Sequence, residues 1–173
     1  MKQELQEKLF QKYPKIFRQK SLSPQETAMC WGISCGDGWY HIIDTLCASI
    51  QHVVDYPREQ VEYYHSLVKK EREKDEKDQD KKLLETYEDS LYEYEKQVID
   101  QIEAVQVKEK FGSLRFYVTG YPVNDKTAAR ITAYISFAEL LSSRTCEICG
   151  APGMSQSEGW IKTRCKEHEG QRR

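Results

Sequence analysis

The chain has 173 residues, with 26 Lys and Arg against 28 Asp and Glu, so a formal charge of -2 gives no global field for holding a polyanion and leaves any nucleic-acid contact to a local patch. Hydrophobic residues are 39% and charged residues 31%, at a mean hydropathy of -0.76, which allows a single buried core with solvated helix attached to it. No run approaches the roughly 20 apolar residues of a spanning helix, and the opening MKQELQEKLF lacks the features of a secretory leader, so the cysteines are expected as thiols in a reducing cytoplasm, with no membrane contact.

In chain order, residues 2 to about 12 place Leu5, Leu9 and Phe10 on one helical face, and Pro14 ends that helix before Ile16 and Phe17. Ser23 to Glu26 can start one helical turn, and Gly32, Gly36 and Gly38 then mark a sharply bending loop. Trp39, Ile43, Leu46, Ile50 and Val53 recur at steps of four and three, which predicts a core helix from Trp39 to about Tyr56 with Asp37 as its N-cap. Pro57 opens a second region. Val61, Tyr64 and Val68 carry one stripe and Leu84, Tyr87, Leu91, Tyr94 and Val98 another, separated by the charged run 69–82. Two stripes around a charged middle fit an antiparallel helical hairpin; the run also has the alternating signs and helix formers of one long helix, and both readings stand.

After Ile102 the period falls to two. Glu103 to Lys110 and Ser113 to Thr119 are predicted as strands joined at Phe111-Gly112, with Val105, Val107, Leu114, Phe116 and Val118 inward. Asn124 or Asp125 can cap a following helix whose buried face is Ala128, Ile131, Ile135, Ala138 and Leu141. The expected fold is α+β and mostly helical, with a small antiparallel hairpin or sheet. Residues 1–56 and 101–143 are expected to form the core, 57–100 a projecting charged helical hairpin, and 144–173 a zinc-binding lobe.

Chemistry concentrates at the C-terminus. Cys146 and Cys149 form a CxxC pair, and Cys165 and His168 repeat its spacing with an imidazole. Such pairs bring two ligands onto one ion, and four ligands complete a tetrahedron, so a structural Zn2+ is expected with no open position for catalysis. Arg144, Lys162, Arg164, Lys166, Arg172 and Arg173 give that lobe a modest basic excess, which leaves a nucleic-acid role open. Asp37, His41 and Asp44 fall on one predicted helix face as a possible metal or proton-transfer trio, although capping and solvation explain them more simply. Cys30 and Cys35 with His41 match no familiar ligand spacing. On the hairpin, Lys108, Lys110, Arg115 and Tyr117 alternate with apolar residues and suit a phosphate, a nucleotide or an acidic protein surface.

Four segments together resemble a widespread family of small phage and prophage proteins of uncharacterised role: Cys-Gly-Asp-Gly-Trp at 35–39, Val-Lys-Glu-Lys-Phe-Gly-Ser-Leu-Arg-Phe-Tyr at 107–117, Arg-Thr-Cys-Glu-Ile-Cys-Gly at 144–150 and Trp-Ile-Lys-Thr-Arg-Cys-Lys-Glu-His at 160–168. The resemblance implies a phage origin and the bacterial host cytoplasm, and it brings no catalytic residues. The functional expectation is a non-enzymatic phage accessory protein that binds a host protein, an inhibitor of host antiviral defence, with Asp37, Trp39, Lys108, Lys110, Arg115 and Tyr117 as contacts. Two alternatives are a binder of a nucleotide-like or phosphorylated molecule, with Trp39 stacking on it, and a nucleic-acid-binding zinc protein. A monomer and a coiled-coil homodimer through Tyr87, Leu91 and Tyr94 are both compatible with the stripes.

Overall fold

The computed structural model describes residues 1–122, 125–156 and 159–171. They divide into two units, Met1–Gln51 with Gln101–Arg173 and His52–Asp100. The fold is α+β and mostly helical, as the change from a helical to a two-residue period requires. Residues 144–171 belong to the first unit instead of separating as a lobe of their own.

In the first unit, α1 (Gln3–Lys12) buries Leu9 and Phe10, and Tyr13, Ile16 and Phe17 continue the same apolar surface past Pro14. The Phe17 ring meets Phe10 edge-on at 5.1 Å and Phe116 at 6.5 Å, which ties this segment to the sheet. That sheet has the order β1-β2-β3. β1 (Ile33–Ser34) runs parallel to β2 (Glu103–Lys110), and β2 pairs antiparallel with β3 (Ser113–Thr119), with Val107 opposite Phe116 and Lys108 opposite Arg115. A bulge between Ala104 and Gln106 resets the alternation, so Ala104, Val107, Leu114 and Phe116 are buried while Val105 and Val118 are only partly covered. The third strand is thus parallel, in a sheet whose hairpin is antiparallel.

α4 (Asp125–Ser142) lies against β3 and buries Ile131, Ile135 and Ala138. Leu141, expected on that face, is instead exposed. The buried stripe continues from 131, 135 and 138 to Ser142, and Leu141 sits about 100° off it. Ser142 and Glu139 have a particular task. The Leu114 N–H donates to Ser142 Oγ at 2.7 Å and the Phe116 N–H to Glu139 Oε1 at 3.1 Å, so helix side chains satisfy the outer edge of β3. The expected cap at Asn124 or Asp125 lies outside the described side chains. Where β2 begins, Glu103 accepts from Arg18 Nε at 2.6 Å and from Gln19 Nε2 at 3.0 Å.

α2 (Tyr40–Arg72) is one helix and does not stop near Tyr56. Pro57 sits inside it, without the N–H that would reach the Val53 carbonyl, and the division between the units falls between Gln51 and His52. The reason is phase: the steps of three and four through Ile43, Leu46, Ile50 and Val53 continue through a buried Pro57 to Val61, Tyr64 and Val68.

In the second unit, residues 73–80 turn the chain and α3 (Lys81–Glu95) runs back along the end of α2, which resolves the hairpin and the single long helix in favour of the hairpin. Asp80 caps α3 by accepting from the Leu83 N–H at 3.0 Å, and the buried Glu71 carboxylate accepts from the Asp80 N–H and from Lys74. The two helices meet through tyrosines. Tyr64 stacks on Tyr94 at 5.6 Å, Tyr56 meets Tyr94 at 6.0 Å and Tyr64 meets Tyr87 at 6.4 Å, so the rings of the stripe considered for a homodimer are engaged within the chain. Among the described residues no helix is long and apolar enough to cross a membrane.

Replacing Ser142 by Ala strands the Leu114 N–H in a buried place and is expected to cost about 1–3 kcal/mol, read from the denaturant midpoint. The hydrogen bond from Arg18, opposed by burial, holds the Glu103 carboxyl below its ordinary range. A depressed carboxyl stabilises the fold above its unfolded pKa and loses that contribution as pH falls through the folded one. Glu103→Gln should therefore lower stability at neutral pH and flatten the acid limb of a stability profile; an unchanged limb would refute the linkage.

Candidate metal centre

The centre is assembled from two turns. Cys146 to Gly150 form a knuckle in which the Gly150 N–H donates to the Cys146 carbonyl at 2.9 Å, and Gly150 takes φ 80°, a conformation glycine adopts without a Cβ clash. The second turn is the 3-10 segment Lys166–His168, which follows β5 (Lys162–Arg164), a strand paired with β4 (Met154–Gln156). Cys146 Sγ lies 3.6 Å from His168 Nδ1, Cys149 Sγ 3.7 Å from Cys165 Sγ, and Cys165 Sγ 3.2 Å from His168 Nδ1. A tetrahedral ion bonded at about 2.3 Å to sulfur and about 2.0 Å to nitrogen separates its ligands by roughly 3.8 and 3.5 Å, so the four side chains could hold a metal ion as they stand. Cys146 is buried and Cys149 exposed.

Burial pushes the Cys146 thiol up, but backbone N–H groups of Cys149, Cys165 and Ile148 aimed at its sulfur outweigh that and bring it down to about 6. At Cys149 the Ala151 N–H lowers the thiol, while burial and the neighbouring thiols raise it to a net increase. The knuckle is therefore built to carry a thiolate on its buried cysteine, the form that ligates metal.

What holds the knuckle is the Gly36-Asp37-Gly38 loop. The Gly38 N–H donates to the Glu147 carbonyl at 2.9 Å, the Gly36 N–H to Glu147 Oε1 at 2.9 Å, and Trp39 Nε1 to the Thr145 carbonyl at 2.8 Å. A Cβ on Gly38 would meet the Cys146 carbonyl oxygen at 2.2 Å, and one on Gly36 the Glu147 carbonyl oxygen at 2.1 Å, so two backbones touch here. Glu147 Oε2 in turn accepts from Arg164 Nη1 at 3.0 Å, and both side chains are 1% exposed. Arg164, counted from the sequence in a basic patch, thus forms a buried ion pair with Glu147 next to the ligands.

The other expected site residues are dispersed. Trp39 is fully buried, so it packs under the knuckle and cannot stack on a ligand. Asp37 does not cap α2; its Oδ1 accepts from the Lys2 N–H at 2.7 Å. Asp44 is raised by burial, but hydrogen bonds from Lys12 and Tyr13 prevail and leave it lowered, while Lys12 is raised in return. With Asp37 ahead of the helix and Asp44 paired to Lys12, Asp37, His41 and Asp44 do not form a working trio. Cys30 donates to the Thr27 carbonyl, Cys35 is buried, and among the described residues the only metal-ligand group is Cys146, Cys149, Cys165 and His168. On the hairpin, Lys108, Lys110, Arg115 and Tyr117 do share one face. Lys108 Nζ lies 5.6 Å from the Tyr117 ring, but Arg115 is turned onto Ser113, the Leu114 carbonyl and Glu139. Comparison with protein-family models, curated proteins and solved structures finds no match for this chain.

Protein prepared in reducing buffer is expected to carry a bound metal ion by elemental analysis, and Cys149→Ser to speed amide exchange across residues 144–171. Gly38→Ala, which forces the loop off the knuckle, should have the same effect with all four ligands intact; unchanged exchange would separate the loop from the centre.

Proposed function

We propose that the chain is a non-enzymatic binding protein, a phage accessory factor that engages a host protein in the bacterial cytoplasm and so restrains host antiviral defence, with Zn2+ as its structural ion. Three thiolates and an imidazole in a tetrahedral arrangement are the donor set of structural zinc, and a full ligand set leaves the ion to fasten residues 144–171 onto the Gly36–Gly38 loop. The host setting rests on the resemblance of the four motifs to phage proteins.

The observation that carries the binding reading is the seam where the β2–β3 turn meets β5. Thr163 Oγ1 donates to the Gly112 carbonyl at 2.6 Å, Lys162 Nζ reaches Glu109 at 3.0 Å, and a Cβ on Gly112 would lie 3.2 Å from Ile161. Beside this seam Phe111 is 65% exposed and Trp160 85% exposed. Large exposed aromatics are characteristic anchors of protein interfaces. Phe111 also takes φ 53°, a left-handed conformation that is unfavourable for a bulky side chain and natural for Asn or Gly in a two-residue turn. A strained aromatic held in solvent is better explained by contact than by folding.

A nucleotide-like ligand remains the second reading, supported by Lys108, Lys110 and Tyr117 on one face of the β2–β3 hairpin. The nucleic-acid reading has less support, because Lys162 and Arg164 are neutralised by Glu109 and Glu147.

Phe111→Asn should raise stability by about 1 kcal/mol, read in chemical denaturation, while weakening capture of the partner from phage-infected host cells. Trp160→Ala should weaken capture with stability unchanged. Equal recovery by both variants would refute this surface, and a nucleotide released from the denatured wild-type protein would favour the second reading.

A further inference from the structure

We propose that the outer face of α4 is a dimerisation surface, on which a second copy of this chain packs antiparallel. Within residues 131–142 the exposed positions are Thr132, Ala133, Ser136, Phe137, Leu140 and Leu141. At about 3.6 residues per turn they fill one half of the helix, opposite the half that buries Ile131, Ile135 and Ala138. In a chain with 31% charged residues, this solvent-facing half carries no charge. Glu139, the one charged residue of the segment, turns to the sheet and accepts from the Phe116 N–H. A helix without a charged face is normally covered on both sides, and within this chain α4 is covered on one.

Size and charge both point to a second copy as the cover. The first half of the face is small, with Thr132, Ala133 and Ser136, and the second is bulky, with Phe137 67%, Leu140 61% and Leu141 42% exposed. Thr132-Ser136-Leu140 and Ala133-Phe137-Leu141 form two i, i+4 ridges with a groove between them, the relief that helix pairs interlock. An antiparallel twofold between Ser136 and Phe137 lays each Leu140 over the other copy's Ala133 and brings the two Phe137 rings together, so bulk meets space. An uncharged face accepts itself without repulsion, whereas a charged partner would leave its own groups desolvated and unpaired. At about 200 Å2 per whole side chain, the three large residues expose on the order of 300 Å2, as much as the largest patch on many monomers. A cleft of about 500 Å3 continues from Leu141 between Leu5, Tyr40, Ile42 and Ile148. Two faces with their clefts approach the roughly 1,200 Å2 at which stable pairs begin.

This surface uses no residue of the Phe111 and Trp160 seam and does not depend on the host-binding reading. The test is sedimentation velocity of the full, metal-loaded chain from about 1 to about 200 µM. The wild type is expected to pass from monomer to dimer across that range. Leu140→Glu and Ala133→Lys, both at exposed positions, should each raise the dissociation constant roughly tenfold or more while leaving the denaturant midpoint of the dilute protein unchanged. An equimolar mixture of the two variants should dimerise again, because residue 140 of one copy faces residue 133 of the other only in the antiparallel register. A wild type monomeric throughout would overturn the proposal and leave the face to a different protein. Undiminished dimerisation by the folded Leu140→Glu variant, or a mixture that stays monomeric, would overturn it as well. Trp160→Ala should dimerise as the wild type does, so failure here and failure of the aromatic seam are told apart.

Discussion

Two stretches of backbone, residues 36–38 and 146–150, approach so closely that neither glycine of the first can carry a side chain. This contact sets the terms for its surroundings. Trp39 follows at once and is buried with its indole N–H on the Thr145 carbonyl, and α2 starts at the next residue. On the other side, Arg164 reaches Glu147 from β5, and Thr163 beside it takes the carbonyl of the hairpin turn. The metal ligands therefore belong to a joint that fixes the start of the long helix, the small ribbon and the strand turn relative to one another. A bound ion would stabilise more than the thirty or so C-terminal residues that supply its ligands, because their knuckle is also the partner surface of the loop.

Local signals in the sequence were reliable where the physics is local. Ligand spacing marked Cys146, Cys149, Cys165 and His168, period two marked β2 and β3, and Phe111-Gly112 marked their turn, since each depends on residues near one another in the chain. Asp37 and Trp39 could not be placed the same way. Their loop is expected as a contact surface only through the family resemblance, while the reason for its glycines lies more than a hundred residues downstream. Arg164 reads from the sequence as part of a basic patch because charge is normally solvated, and nothing near it in the chain announces Glu147 as its partner. Pro57 was read as a boundary although the apolar phase runs through it unbroken; the periodicity carried more information than the one breaker. Leu141 and Val105 erred by a single position each, one displaced by the serine that ends the α4 stripe and one by a bulge.

Both units match the polar groups that they bury, Glu71 in the second by Lys74 and the Asp80 N–H. In residues 52–100 the helices meet through tyrosine rings, Tyr56 and Tyr94 bringing exposed hydroxyls to 3.5 Å, and α3 has no buried residue. Such a pairing supplies little hydrophobic driving force. In the first unit polar groups are drawn inside and matched, as Glu103 is by Arg18 and Gln19 and Glu147 by Gly36 and Arg164. Arg164 Nε and Nη2, buried without a hydrogen-bond partner among the described residues, stand out against that background.

The capping of β3 by Ser142 and Glu139 acquires a further meaning beside the opposite edge of the sheet. There the Ala104 N–H donates to the Ile16 carbonyl, Thr27 Oγ1 donates to the Val105 carbonyl, and β1 covers Val107 and Lys108. Several hydrogen-bonding groups on the outer side of β3 and on the β1 side of β2 are thus taken by the chain itself. Those positions are closed to strand addition, the route by which many small β modules recruit peptides and by which exposed margins seed fibrils. At those positions the same closure keeps the sheet from templating its own aggregation.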